Sequence, residues 1–180
     1  MKYFLLIILF VNITITYAQS SLYIGVEDFV PTKRTIPYKA KPVAATIQDA
    51  EKVRIAKMEK ELQEADTAFE KKEYEKAYIV YTKYENKLDG EQYYRFGWMY
   101  LKGKAAEKDF EKAKMYFEKG ASLNNAAAMN GLGSIYRIGG NGVTQNYEKA
   151  LFWYKKAIDN GSTKAMDNLG FMYSNGEGVI

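Results

Sequence analysis

The chain has 180 residues, about one domain's worth, with 47% hydrophobic and 27% charged residues and a formal net charge of +4. Lys and Glu are interleaved along it, which argues against a nucleic-acid footprint, where positive charge gathers on one face. It contains no His and no Cys. A His-based triad, a His or thiolate metal site, disulfides and a lipid-modified N-terminal Cys are therefore excluded, and carboxylates, Lys, Tyr and Ser/Thr are the side chains left for chemistry.

In chain order, Met1-Lys2 supplies one positive charge, Tyr3 to Ile15 is an apolar run, and Thr16-Tyr17-Ala18 follows with small residues at its first and last positions. This is the layout of a secretory signal peptide over residues 1–18, with cleavage after Ala18 leaving Gln19 first. The apolar run is shorter than the roughly 20 residues a spanning helix needs, and Asn12 interrupts it. The expectation is an exported protein, periplasmic or extracellular (the secretory lumen in a eukaryote), with no membrane insertion after cleavage. Residues 19–46 hold all three prolines, Pro31, Pro37 and Pro42. Proline fixes φ and biases the preceding residue to an extended shape, so this stretch reads as a linker. Leu22, Tyr23, Ile24, Val26, Phe29 and Val30 could give it a short strand or a docking patch.

From Ile47 the pattern turns helical. Ile55, Met58, Leu62, Ala65 and Phe69 step by 3, 4, 3 and 4 residues, which places them on one helix face. A turn through Lys71 to Tyr74 leads to a second helix predicted over Tyr74 to Lys87. Its opening, Tyr74-Glu75-Lys76-Ala77, recurs as Phe110-Glu111-Lys112-Ala113 and Tyr147-Glu148-Lys149-Ala150, the alanines stepping by 36 and 37 residues. Tyr81, Phe117 and Tyr154 each lie four positions after the alanine. Asp109 and Asn146 are placed as N-caps, and Asn124 and Gly161 as the left-handed residues that end helices.

Between these openings a second phrase repeats: QYYRFGWMY from Gln92, AMNGLGSIY from Ala128 and AMDNLGFMY from Ala165. A period in the 20–50 range marks a solenoid array. Each repeat is thus a first (A) helix, a Gly-rich turn, a second (B) helix and a cap. Gly97, Gly133 and Gly170 stand inside the A helices, where glycine costs about 1 kcal/mol relative to alanine. Their recurrence implies that the B helix approaches closely there, with Ala77, Ala113 and Ala150 as the expected small partners.

These residues resemble the Sel-one-like repeat (SLR), a relative of the tetratricopeptide repeat (TPR). Its pattern is met by Leu132-Gly133, Tyr136, Gly140, Gly142-Val143, Lys149-Ala150, Trp153-Tyr154, Lys156-Ala157 and Gly161. It is met again by Ala165, Leu169-Gly170, Tyr173, Gly176 and Gly178-Val179. Phe96, Ala105-Ala106 and Asn124 depart from it in the preceding copy. Residues 47–88 resemble a degenerate TPR-like first repeat, residues 89–125 and 126–162 two SLR repeats, and residues 163–180 the first half of another. The resemblance implies an all-α fold, about seven helices in antiparallel pairs stacked as a right-handed α-α superhelix of the TPR/SLR type, with the A helices on its concave side.

Other motifs are absorbed by this frame. Gly139-Gly140-Asn141-Gly142 lacks the Gly-Lys-Ser/Thr of a phosphate loop and recurs as Gly176-Glu177-Gly178, so it is an inter-helix turn. Asn160-Gly161-Ser162 has the N-glycosylation pattern but is explained as a helix end. No carboxylate pair stands out from the Lys/Glu-alternating faces, so no catalytic residue, cofactor or metal is expected.

What remains is one stripe on each A helix that varies between copies while the packing positions repeat: Tyr94, Trp98 and Leu101; Asn130, Ser134 and Arg137; Asp167, Phe171 and Ser174. A solenoid varies its recognition surface in this way. The expected function is a non-catalytic exported scaffold that binds a protein or peptide there. The alternatives are a cell-wall-associated accessory or hydrolase-like SLR protein, of peptidoglycan or β-lactam chemistry, and the repeat module of a longer polypeptide. The first of these is weakened because such relatives usually carry cysteine-rich repeats. The last copy stops at Ile180 before a B helix, so a fragment of a longer array, or self-association through an open C-terminal repeat, is also expected.

Overall fold

The computed structural model describes residues 43–178. The expected signal peptide, the three prolines and the expected strand or docking patch lie outside the described residues. The chain parts into two units, residues 1–55 and 56–180. The described part of the first is the opening of helix α1 (Val43–Glu70), whose residues 46–55 are exposed. Two expectations need correcting here. The helix begins at Val43, inside the stretch read as linker, because no apolar stripe marks its exposed start. Ile55, placed on the buried face, is 44% exposed, and that face begins at Met58.

The second unit continues from α1 through α2 (Tyr74–Lys83), α3 (Gly90–Lys102), α4 (Phe110–Ser122), α5 (Ala126–Ile138), α6 (Tyr147–Asp159) and α7 (Thr163–Ser174). Among the described residues there are seven α-helices and no β-strand, only an isolated bridge between Gly140 and Val143. This is the expected all-α helical-repeat array, with α1, α3, α5 and α7 as A helices and α2, α4 and α6 as B helices.

Local chemistry sets the boundaries. Asp109 accepts from the Lys112 amide at 2.9 Å and Asn146 from that of Lys149 at 2.8 Å, as expected of N-caps. The A helices are capped too: Asn125 accepts from the Ala128 amide at 2.7 Å and Ser162 from that of Ala165 at 3.2 Å. Asp89 forms a full capping box with Gln92. Each cap satisfies a first-turn donor and stabilises its helix by about 1 kcal/mol. Asn124 and Gly161 take the left-handed conformation at φ 60° and 90°. Helix α2 stops at Lys83, short of the predicted Lys87, and a 3-10 turn over Glu85–Lys87 follows. The Tyr93 hydroxyl donates to the Glu85 carbonyl at 2.8 Å, and the turn drops Leu88 into the core, 5% exposed.

The core is a line of B-helix residues inserted between A helices. Ala77, Ala113 and Ala150, and the aromatic four positions after each (Tyr81, Phe117 and Tyr154), are all 0% exposed. The glycines meet the aromatics more than the alanines, contrary to expectation. A Cβ on Gly133 would lie 2.5 Å from the Tyr154 ring. One on Gly97 would lie 2.8 Å from the Phe117 ring and 3.0 Å from the Ala113 carbonyl oxygen. A Cβ on Gly131, which the repeat pattern did not single out, would meet the other edge of Phe117 at 2.8 Å. Phe117 therefore sits in a slot between a glycine of α3 and a glycine of α5. Gly170 has open space around the same point.

The first repeat is joined to the next by a polar cluster. Asp66 on α1 accepts from the Tyr81 hydroxyl (2.7 Å) and from Gln92 Nε2 (3.0 Å), and pairs with Arg95 at 3.3 Å. Arg95 also reaches Glu70 at 2.7 Å and Glu91 at 3.3 Å. Burial, then the Asp66 carboxylate, pushes the Tyr81 hydroxyl far above the ordinary phenol range, so it stays a protonated donor. Gln92 is the buried polar residue of the core at 7% exposure, and Asp66 is what makes its burial tolerable.

Two outcomes are expected. Gly133→Ala should destabilise the array by about 1–3 kcal/mol through overpacking against Tyr154, whereas Gly170→Ala should stabilise it by up to about 1 kcal/mol through helix propensity. Thermal melts of the two variants should shift in opposite directions; shifts of the same sign would refute the slot. Asp66→Ala should cost about 1–3 kcal/mol for each buried donor left unpaired, and Tyr81→Phe clearly less, as read by urea denaturation.

Candidate functional site

Consecutive A helices touch directly, α3 with α5 and α5 with α7, while the B helices α4 and α6 do not come as close. The A helices therefore form the inner wall of the second unit. Two hydrogen-bonded or charged links cross this wall from α5 to the last repeat. Asn168 Nδ2 donates to Asn130 Oδ1 at 2.8 Å, and Arg137 Nη1 pairs with Glu177 at 3.4 Å.

The variable stripe lies on these helices, but its three copies are not equally open. On α3, Tyr94 is half-buried and stacks on Phe117 with centroids 5.9 Å apart and planes at 25°, and burial pushes its hydroxyl upward. Trp98 meets Phe69 edge-on at 5.5 Å and Tyr74 at 5.6 Å. Leu101 packs partly against the core. Contrary to the sequence expectation, all three are engaged in packing: Trp98 reaches the preceding repeat, whereas Tyr94 stacks within its own.

On α5 the stripe is polar and half-buried. The Ser134 hydroxyl donates to the Asn130 carbonyl at 3.1 Å and lies 3.2 Å from the Tyr154 hydroxyl, which donates to it. The Arg137 guanidinium lies over the Phe171 ring, 5.1 Å from its centroid, and its buried Nε has no hydrogen-bond partner. On α7, Asp167, Phe171 and Ser174 are exposed, Phe171 at 52%, and Ser174 donates to the Phe171 carbonyl at 2.9 Å. The structure thus brings Arg137 and Phe171 into contact and leaves Asp167 and Ser174 facing outward beside them.

Asn168 and Glu177 were not singled out from the sequence. Asn168 falls at the place that Gly131 holds one repeat earlier, a signal a column-by-column reading could have used. Glu177 was hidden in a turn read only for its glycines.

Hydrogen bonds from Lys83 and Tyr84 hold the Glu61 carboxyl below its usual range, and Lys76 does the same to Glu73. Burial pushes the Tyr100 and Tyr116 hydroxyls up, helped in Tyr100 by the Tyr78 hydroxyl 3.0 Å away. Among the described residues no group of three or more Asp and Glu side chains could hold a metal ion, and no helix is long and apolar enough to cross a membrane.

Comparison with known proteins agrees with this architecture. The Sel1 repeat family matches residues 93–125, 126–162 and 163–180. A solved Sel1 repeat protein from Oxalobacter formigenes superposes with a TM-score of 0.57 at 27% identity, over 64% of this chain and 47% of that one. A protective antigen present in uropathogenic Escherichia coli strains, displaying an SLR fold, superposes with a TM-score of 0.54 at 32% identity. That alignment covers 59% of this chain and 22% of the antigen. The chain therefore spans under half the length of either protein. No match is found among curated protein sequences. Residues 93–180 thus match the Sel1 repeat, and the described helices share the all-α helical-repeat fold of these SLR proteins.

Proposed function

We propose that the chain is an exported, non-catalytic scaffold whose A-helix wall binds a peptide segment of a partner protein. The observation that carries this reading is the division of labour within each A helix. Ala128, Leu132 and Gly133 and their counterparts are packing positions that repeat, whereas the adjoining stripe changes chemistry from aromatic to polar to mixed along the array. Repeat proteins use such a varying wall for recognition. Its open part is Asp167, Phe171 and Ser174, with Arg137 at the edge. An aromatic and an arginine in contact are the residue types most often found as interface anchors. Export rests on the leader pattern of residues 1–18, and a cell-wall role has no feature of the wall in its favour.

A random peptide library panned against the full chain tests the reading. Peptides that are retained should lose about tenfold or more in affinity with Phe171→Ser or Asp167→Lys. Phe152→Ser, at an exposed position on the B helix α6, should leave binding unchanged, with melting temperatures confirming that all three fold. Loss of binding in Phe152→Ser, with the wall variants still binding, would place recognition on the outer face. On secretion from a bacterial host, the product should begin at Gln19 by N-terminal sequencing; retention of Met1 would refute export.

A further inference from the structure

We propose that Arg137 is the carboxylate-reading anchor of the wall, that Glu177 holds its place in the unbound chain, and that the segment it takes presents one carboxylate beside an apolar side chain. This deepens, and rests on, the reading of the wall as a peptide-binding surface.

Arginine offers five N–H donors in a planar fork suited to gripping both oxygens of a carboxylate. At Arg137 the grip is incomplete. The contact with Glu177 is through Nη1 alone at 3.4 Å, longer than the roughly 2.7–2.9 Å of a strong charge-assisted bond. A two-pronged pair that includes Nη1 takes its second bond from Nη2, on the same edge of the fork. Among the described residues the hydrogen bond of this guanidinium is the single one from Nη1, while Nε, on the opposite edge, is buried with no partner. The site thus already contains a carboxylate, which shows the chemistry it accepts, and leaves unmade the second bond that a better-placed carboxylate would form.

The placeholder is also weakly held from its own side. Glu177 sits between Gly176 and Gly178, at φ 68° and 75°, in the turn after α7. The other oxygen of its carboxylate accepts from Asn175 Nδ2 at 3.4 Å. Little opposes its exchange for an incoming acid. Phe171 defines what should flank that acid. Its ring lies under the guanidinium and fixes the plane of the fork, while its exposed half offers apolar surface to the neighbouring side chain. Asp167, exposed one turn earlier on α7, repels a second carboxylate and so sets the direction in which the segment lies.

The test is an NMR titration of the full chain with N-acetyl-L-phenylalanine, which carries a carboxylate and an apolar ring, against neutral N-acetyl-L-phenylalaninamide. The acid should shift the Arg137 Nε–H and Phe171 ring resonances and the amide should not. Glu177→Gln should bind the acid about threefold more tightly, the effect of removing a partly exposed competing ion pair. Arg137→Lys keeps the charge but lacks the planar two-pronged fork and should lose most of the binding. Equal shifts from acid and amide, unchanged or weaker binding by Glu177→Gln, or full binding by Arg137→Lys would each overturn the proposal. Because the readout is at Arg137 itself, such a failure leaves the affinities of the panned peptides for Phe171→Ser and Asp167→Lys to judge the wall separately.

Discussion

The array depends on one contact, an aromatic ring of a B helix laid against the backbone of an A helix. The ring can lie there only because the residue beneath it has no side chain. Phe117 over Gly97 and Tyr154 over Gly133 are the two filled examples, each with a fully buried alanine one turn before the ring. A glycine inside a helix is a local cost, and it persists because the ring it admits buries far more apolar surface than an alanine methyl would. Helix spacing, the depth of the core and the closeness of neighbouring A helices all follow from it.

Along the array the wall changes character because the space left over by that contact is used differently in each repeat. At α3 it is filled by rings, Tyr94 stacking within its own repeat and Trp98 reaching the one before. At α5 it is filled by polar groups, Ser134 bonded to the Asn130 carbonyl and Arg137 to Glu177. At α7 it is open. Ring packing is therefore concentrated at the α3 end of the wall and exposed stripe positions at the α7 end.

Much of this was legible in the residues. The period, the seven helices, the caps at Asp109 and Asn146 and the left-handed stops at Asn124 and Gly161 are local or periodic signals, and they survive folding unchanged. What the sequence could not show depends on distances across the array. Trp98 looked free because the positions it touches, Phe69 and Tyr74, lie in a repeat whose own pattern is degraded. The early end of α2 follows from a hydrogen bond reaching back from Tyr93 to Glu85, which no propensity encodes. The pairing of Arg137 with Glu177 spans 40 positions and needed the turn after α7 to be in place.

The slot around Phe117 has one more consequence. Its far edge rests on Gly131 of the following repeat, whereas the corresponding ring one repeat earlier, Tyr81, is hydroxylated and meets Arg95 and Asp66. A polar ring faces a polar partner and an apolar ring faces bare backbone. Each repeat is thus keyed to its successor, like consecutive pieces cut along different lines. Exchanging two of them would drive an arginine against a phenylalanine ring and set the Tyr81 ring beside bare glycine. The copies look interchangeable when written one above another, yet their order is part of the fold.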